Sequence, residues 1–393
     1  VPIQEKLEQA AAIVRDSGAD VWLTIVRETS ESADPALEFL LRGGLTWASA
    51  LMVFATGRRI AVVGNLDAEA VSASGHWHQV VPYVEGIRQP LVELLEKELH
   101  GVSDPKIAVN YSVSDSKADG LSHGMYLLLV ELLGGTRFRN SLVSAEPIVQ
   151  AVRSRKTATE ISKVKDAIRA TEELFASAST QIKPGMSEQQ IFNLVQDEMR
   201  AKGLGFAWDE AHNPIVNSGP DSMAGHGLPS AGITVQPGHI VHMDLGVKTR
   251  GYCSDLQRCW FVGAAVPEDV ERAFRAVLEA IESAKSVLAP GIEGWKVDAA
   301  ARAKIQELRY EEYLHATGHQ VGRVAHDGGT LLGPKWPRYG TTPLQKVEQD
   351  QIYTLELGVN VPGKGYLGIE EMVLITRNGC EYLSAPQTEI WLI

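Results

Sequence analysis

The chain has 393 residues, 44% hydrophobic and 22% charged, the composition of an ordinary globular protein long enough for two or three domains. Its net charge of -12, with no basic patch to offset it, disfavours a nucleic-acid partner, whose phosphates repel an acidic surface. No apolar run approaches the roughly 20 residues of a membrane span, the opening residues lack a secretory pattern, and three scattered cysteines (Cys253, Cys259, Cys380) fit a reducing, cytoplasmic setting better than a disulfide framework.

Residues 1–153 alternate strand-like and helix-like stretches. "DVWLTIV", "ALMVFA", "IAVVG" and "KIAVNYS" read as short apolar strands. "QEKLEQAAAIVRDSG" and "QPLVELLEKELHG" have helical spacing and end in glycine. This pattern predicts a small α/β domain. Its one conspicuous pair, His76 and His78 in "HWHQ", reads as a solvated strand face.

Residues 154–393 have a different texture. Thr157 and Glu160 have capping-box spacing and predict a helix start, with Ile161, Val164, Ile168 and Phe175 along one face. "KPGMSEQQ" offers a turn and a second box, Ser187 with Gln190, opening a helix that buries Ile191, Leu194, Val195 and Met199 and stops at Gly203. The plan then repeats. "LAPGIEGWKVDAAARAKIQEL" echoes "IKPGMSEQQIFNLVQDEMRAKG", with Pro290 lying 106 positions beyond Pro184. "GHIVHMDLGV" is echoed by "DQIYTLELGV", which sets Glu356 112 positions beyond Asp244. Duplicated half-domains would explain why two strands carry an acid at the same place.

Period-two alternation puts Ile240, His242, Asp244 and Gly246 on one strand face, and Val241, Met243, Leu245 and Val247 on the other. The second strand divides likewise, Thr354 and Glu356 against Tyr353, Leu355 and Leu357. A single acid on such a face would usually be a polar residue meeting water. The turns suggest otherwise. A two-residue turn centred on Thr249-Arg250 sets Asp244 opposite Asp255, and one centred on Gly363 sets Glu356 opposite Glu370. Opposed like charges, about 5 Å apart at their β-carbons, destabilise a sheet unless a cation lies between them, and divalent cations suit carboxylate oxygens. Histidines stand in glycine-rich loops before each acidic strand: His226 in "NSGPDSMAGHGLPS", and His315, His319 and His326 in "HATGHQVGRVAHDGG".

This ordered set resembles the pita-bread metallopeptidases: methionine aminopeptidase, aminopeptidase P, prolidase and the metal-free creatinase. Asp255 follows Asp244 by 11 positions and Glu370 follows Glu356 by 14, the spacings of the prolidase-like members. "MDLGVKTRGYCSDLQR", "TGHQVG" and "GIEEMVLIT" are similar to the family's motifs. The resemblance implies an α+β architecture. Its C-terminal pita-bread domain (154–393) has pseudo-two-fold duplicated halves, and a smaller creatinase-like α/β domain (1–153) precedes it. It implies two divalent metal ions: manganese, cobalt or zinc, manganese favoured. Asp244 would chelate one, His319 and Glu356 the other, and Asp255 and Glu370 would bridge them. Glu356 would be the general base, while His226 and His326 would steady the substrate and the developing oxyanion. The implied activity is hydrolysis of Xaa-Pro dipeptides by a homodimer acting on small peptides. The alternatives are aminopeptidase P activity on longer peptides, or a non-peptidase binding relative that keeps the fold. The chain also departs from the family. Gly368 stands where many relatives have arginine, Gln257 where many have threonine, and the segment from His326 to Glu356 is longer than usual. Arg338 in that segment is the candidate fork for a substrate carboxylate.

Overall fold

Short apolar runs of the first unit, Val1–Arg153, assemble a six-stranded sheet. The computed structural model describes residues 2–222 and 227–393 of the chain. The sheet runs in the order Gln79–Tyr83, Arg59–Gly64, Ser49–Phe54, Val21–Val26, Ile107–Val109, Leu142–Ser144, antiparallel at its centre and parallel towards both edges. Its strands read as continuous apolar runs because helices cover both faces. Trp22 and Val26 pack with Leu7 and Val14 of helix Ile3–Ser17. Val21, Leu23 and Ile25 point the other way, towards Leu91, Leu95 and Leu129 of helices Arg88–Glu98 and His123–Leu132.

In the second unit, Ser154–Ile393, two helices precede a hairpin, twice over. Helix Ala158–Gln181 opens with the Thr157–Glu160 capping box and helix Glu188–Ala201 with the Ser187–Gln190 box, each satisfying two otherwise unpaired N–H groups. The second pair is Glu268–Val287 and Gly294–Glu307. The turns leading into the later helix of each pair match closely. Gly185 and Gly291 have φ of +90° and +89°. Each donates its N–H over 2.8 Å, Gly185 to Val235 O and Gly291 to Val347 O.

The larger sheet of this unit has a main path Ile352–Val361, Gly365–Ile375, Leu256–Phe261, Ile240–Leu245, Ile215–Ser218. On Ile240–Leu245 the residues Val241, Met243 and Leu245 bury against Val164, Ile168, Phe175, Ile191 and Val195 of the first helix pair. On Ile352–Val361, Tyr353, Leu355 and Leu357 bury against Phe274, Val277, Val297 and Ala301 of the second. Each fully buried large apolar side chain contributes about 1.5–3 kcal/mol. Period two then leaves His242, Asp244, Thr354 and Glu356 on the opposite face.

The second hairpin has the expected register: Glu356 pairs with Glu370 about a turn at Gly363. The first does not. Its turn is Arg250-Gly251, with φ of +49° and +79°, and the ladder pairs Thr249 with Tyr252 and Asp244 with Gln257. A turn on Thr249-Arg250 would need a β-branched residue at positive φ, which is sterically disfavoured, whereas Gly251 accepts it freely. Asp244 therefore does not face Asp255 across the ladder.

Candidate metal centre

The hairpins join where Gln257 pairs with Glu370. One row of residues thus crosses four adjacent strands: Asp244, Gln257, Glu370, Glu356. Paired residues in a sheet share a face, so the row is a line of acids interrupted by one amide. Asp255 lies two residues before Gln257, hence on the same face. The ladder breaks at Gly246, and the Asp255 N–H meets Met372 Sδ at 3.3 Å. Despite the shifted register, the Asp244 and Asp255 carboxyls lie close enough to shift each other's proton affinity.

His319 reaches the row from a segment laid along strand Ile352–Val361. Thr354 N donates to His319 O (2.9 Å) and Glu356 N to Thr317 O (2.7 Å). Its glycine neighbours permit this approach. A β-carbon on Gly318 would stand 2.0 Å from Thr354 O, and one on Gly322 would stand 2.1 Å from Asp327 Oδ2. His319 Nε2 lies 3.4 Å from Glu356 Oε1, 3.7 Å from Asp255 Oδ2 and 3.9 Å from Glu370 Oε1. Asp255, His319 and Glu370 bring one ligand atom each to within 4.8 Å of one another.

The electrostatics suit a cation. Burial, and then the neighbouring carboxylates, push the Asp244, Asp255 and Glu370 carboxyls well above the usual carboxylate range. Burial, with His326 beside it, holds His319 down at about 3, so its ring is neutral near pH 7. Its Nδ1 faces Gln320 O at 3.4 Å. With the ring proton on that side, the Nε2 lone pair points at the carboxylates. Asp244 Oδ1 and Glu370 Oε1 are buried with no hydrogen-bond partner among the described residues. Converging acceptors, two of them left unsatisfied, are what carboxylate–imidazole ligation of divalent ions requires. The residues present fit such ions.

The other expected site residues are distributed differently. His326 is exposed, its ring centroid 4.2 Å from that of His319. His226 lies outside the described residues. Arg338, exposed in the short helix Pro337–Tyr339, stacks on Trp336 and Tyr339 and donates to Leu314 O (2.5 Å). Those contacts do not join it to the carboxylate row. His315 turns aside, its Nδ1 facing Ala316 O at 2.8 Å.

Two residues have a larger part here than their sequence positions suggested. Gln257 Nε2 donates to Glu356 Oε2 and Glu370 Oε2, both at 3.1 Å, and Gln257 Oε1 lies 2.9 Å from His242 Nε2. The sequence signal was parity alone: His242 is two before Asp244 and Gln257 two after Asp255.

Compared with known proteins, the chain matches the model of metallopeptidase family M24 over residues 162–377. The Xaa-Pro dipeptidase of Pyrococcus furiosus is 30% identical over 247 residues, 62% of this chain and 67% of that protein. The crystal structure of X-Pro aminopeptidase from Thermotoga maritima MSB8 superposes at a TM-score of 0.68 and 25% identity, covering 98% of this chain and 99% of its own. Xaa-Pro dipeptidase from Bacillus anthracis superposes at 0.72 over the full length of both chains, at 23% identity. These likenesses identify the duplicated helix-pair and hairpin plan as the pita-bread fold.

Proposed function

Since the chain belongs to metallopeptidase family M24 and is a peptidase, we propose that it uses two divalent ions to release the first residue of Xaa-Pro substrates, with dipeptides preferred. The observation that carries this reading is the convergence of Asp244, Asp255, His319, Glu356 and Glu370, with Asp244 Oδ1 and Glu370 Oε1 left unsatisfied. In this reading Asp244 would help hold one ion, His319 and Glu356 the other, and Asp255 and Glu370 would serve both. Bound ions of this kind polarise a carbonyl and lower the pKa of water towards neutrality. Manganese is the metal to test first, although affinity order alone does not select it.

The side chains have separable tasks. Glu356 is the least buried carboxylate of those facing His319, 18% exposed against 7% for Asp255 and 1% for Glu370. It can therefore exchange a proton with an incoming water and pass it to the leaving amine. The neutral His319 ring offers a lone pair rather than a charge. His326, exposed beside it, orients the scissile carbonyl, a task shared with His226 in this reading. Arg338 would grip the C-terminal carboxylate of a dipeptide. Homodimer assembly and a cytoplasmic location belong to the same reading.

A substrate panel tests it: Ala-Pro, Ala-Pro-Ala and Met-Ala, each with manganese, cobalt or zinc restored to metal-free protein. Proline released from Ala-Pro, with little turnover of Met-Ala, is the expected result. Cleavage of the tripeptide without the dipeptide moves the assignment to aminopeptidase P. Activity on neither, with no metal bound, favours a binding relative. On Arg338→Ala, a raised KM for Ala-Pro at unchanged kcat is expected.

A further inference from the structure

Gln257 is the one neutral member of the carboxylate row, and its two N–H bonds both go to glutamates. We propose that Gln257, itself held by His242, is a positioning residue that sets the rotation of the Glu356 and Glu370 carboxylates for the metal pair. The proposal rests on the metallopeptidase reading above.

The geometry is specific. Gln257 Nε2 takes the Oε2 atom of each glutamate at 3.1 Å, which leaves both Oε1 atoms towards His319 Nε2, at 3.4 Å and 3.9 Å. One amide thereby orients ligands from two strands of the second hairpin. An amide nitrogen has two protons, and here both are spent on carboxylates. Gln257 Oε1 must then be the acceptor facing His242 Nε2, which donates over 2.9 Å. The other ring nitrogen of His242, an acceptor in that tautomer, lies 3.0 Å from the side-chain amide of Asn217, on the strand partner directly opposite, which meets it with its NH2 group turned inward. Tyr366 closes the ring's side edge-on, with centroids 5.0 Å apart. Gln257, His242 and Asn217 are all buried. Water does not readily substitute for them.

Gly368 accounts for the space. A β-carbon there would meet Gln257 Oε1 at 2.7 Å, His242 Nε2 at 3.0 Å and Tyr366 Cε1 at 2.6 Å. The departures at residues 257 and 368 are thus one arrangement. Where many relatives carry an arginine, this chain fills the room with a histidine–glutamine pair.

The test uses the full chain, stripped of metal, as wild type, Gln257→Met, His242→Phe and the double variant. Met keeps the side-chain length without an amide, and Phe keeps a flat ring against Tyr366. Manganese binding is followed by calorimetry and cobalt binding by its visible absorption, which responds to coordination geometry. We expect two ions per wild-type chain, and in Gln257→Met a 10–100-fold weaker Kd for at least one ion with a changed cobalt spectrum. His242→Phe should shift both readouts in the same direction by less, and the double variant should bind no worse than Gln257→Met. Wild-type affinity and spectrum in Gln257→Met would overturn the inference while leaving the metallopeptidase reading intact. Multiplying losses in the double variant would overturn the histidine's part. If Gln257→Met fails to fold, His242→Phe decides, wild-type affinity again counting against the inference. A wild-type chain that binds neither metal sinks the metallopeptidase reading, and this one with it.

Discussion

Gly318 shows how little room the centre leaves at the level of one residue. An added β-carbon there would meet main-chain atoms, Thr354 O at 2.0 Å and Thr354 C at 2.9 Å, neither of which can rotate away. The segment carrying His319 would have to lift from the strand carrying Glu356. Gly363 is the natural control: its φ of +72° also disfavours a side chain, but nothing lies within 4 Å of its β-carbon position. Both alanine variants should lose stability, by about 1–3 kcal/mol for Gly318→Ala through overpacking and by a comparable amount for Gly363→Ala through strain. Only Gly318→Ala should also lose metal. Calorimetric titration with manganese separates them, and equal metal uptake by the two would contradict this account.

At the level of elements, Arg258 and Glu371 clamp the strands on which the two halves join. They lie one residue beyond the Gln257–Glu370 pair, on the opposite face, 3.0 Å apart and 2% exposed. Arg258 Nη1 also donates to Glu370 O (2.9 Å), and Glu371 accepts from Ser384 Oγ (2.6 Å) and the Gln387 N–H (3.0 Å). Burial pushes the Glu371 carboxyl up while Arg258 and these donors pull it down, and burial is the larger effect. The pair is therefore dear to break and of modest net value when whole. Arg258→Met should lower stability by about 3–5 kcal/mol, because it strands a buried carboxylate. Adding Glu371→Gln to that variant should recover part of the loss. Denaturant midpoints of the three proteins check this, and a double variant no better than Arg258→Met would refute it.

For the whole molecule, the proposed ligands span residues 244 to 370, across both duplicated halves of the second unit. Ions bound there would stabilise the folded state by mass action, by about 2.7 kcal/mol at 100 times Kd. Chelation should accordingly lower the melting temperature of that unit by about 5–10 °C and leave the transition of Val1–Arg153 unmoved. Differential scanning calorimetry before and after manganese is restored reads both. A uniform shift of both transitions would count against a centre confined to Ser154–Ile393. Among the described residues, no helix is long and apolar enough to cross a membrane.

Much of this was legible in the residues themselves because it depends on local periodicity. Capping boxes at Thr157 and Ser187 start helices through bonds made within four residues. Period-two alternation puts Asp244 and Glu356 opposite their strands' apolar residues, and any register differing by an even number keeps Asp255 and Glu370 on that same face. That is why a register misjudged by two residues in the first hairpin left the site recognisable: an even slip changes the neighbour but not the face. The tertiary structure alone decided which neighbours Asp244 and Asp255 have. Steric preference moved the turn to Arg250-Gly251, and the union of the two hairpins set Gln257 between Asp244 and Glu370. It also filled the space over Gly368 with Gln257 and His242. The contacts of Gln257 with Glu370 and with the space over Gly368 join residues more than 100 positions apart, and close packing between distant strands, which no local period encodes, selects them.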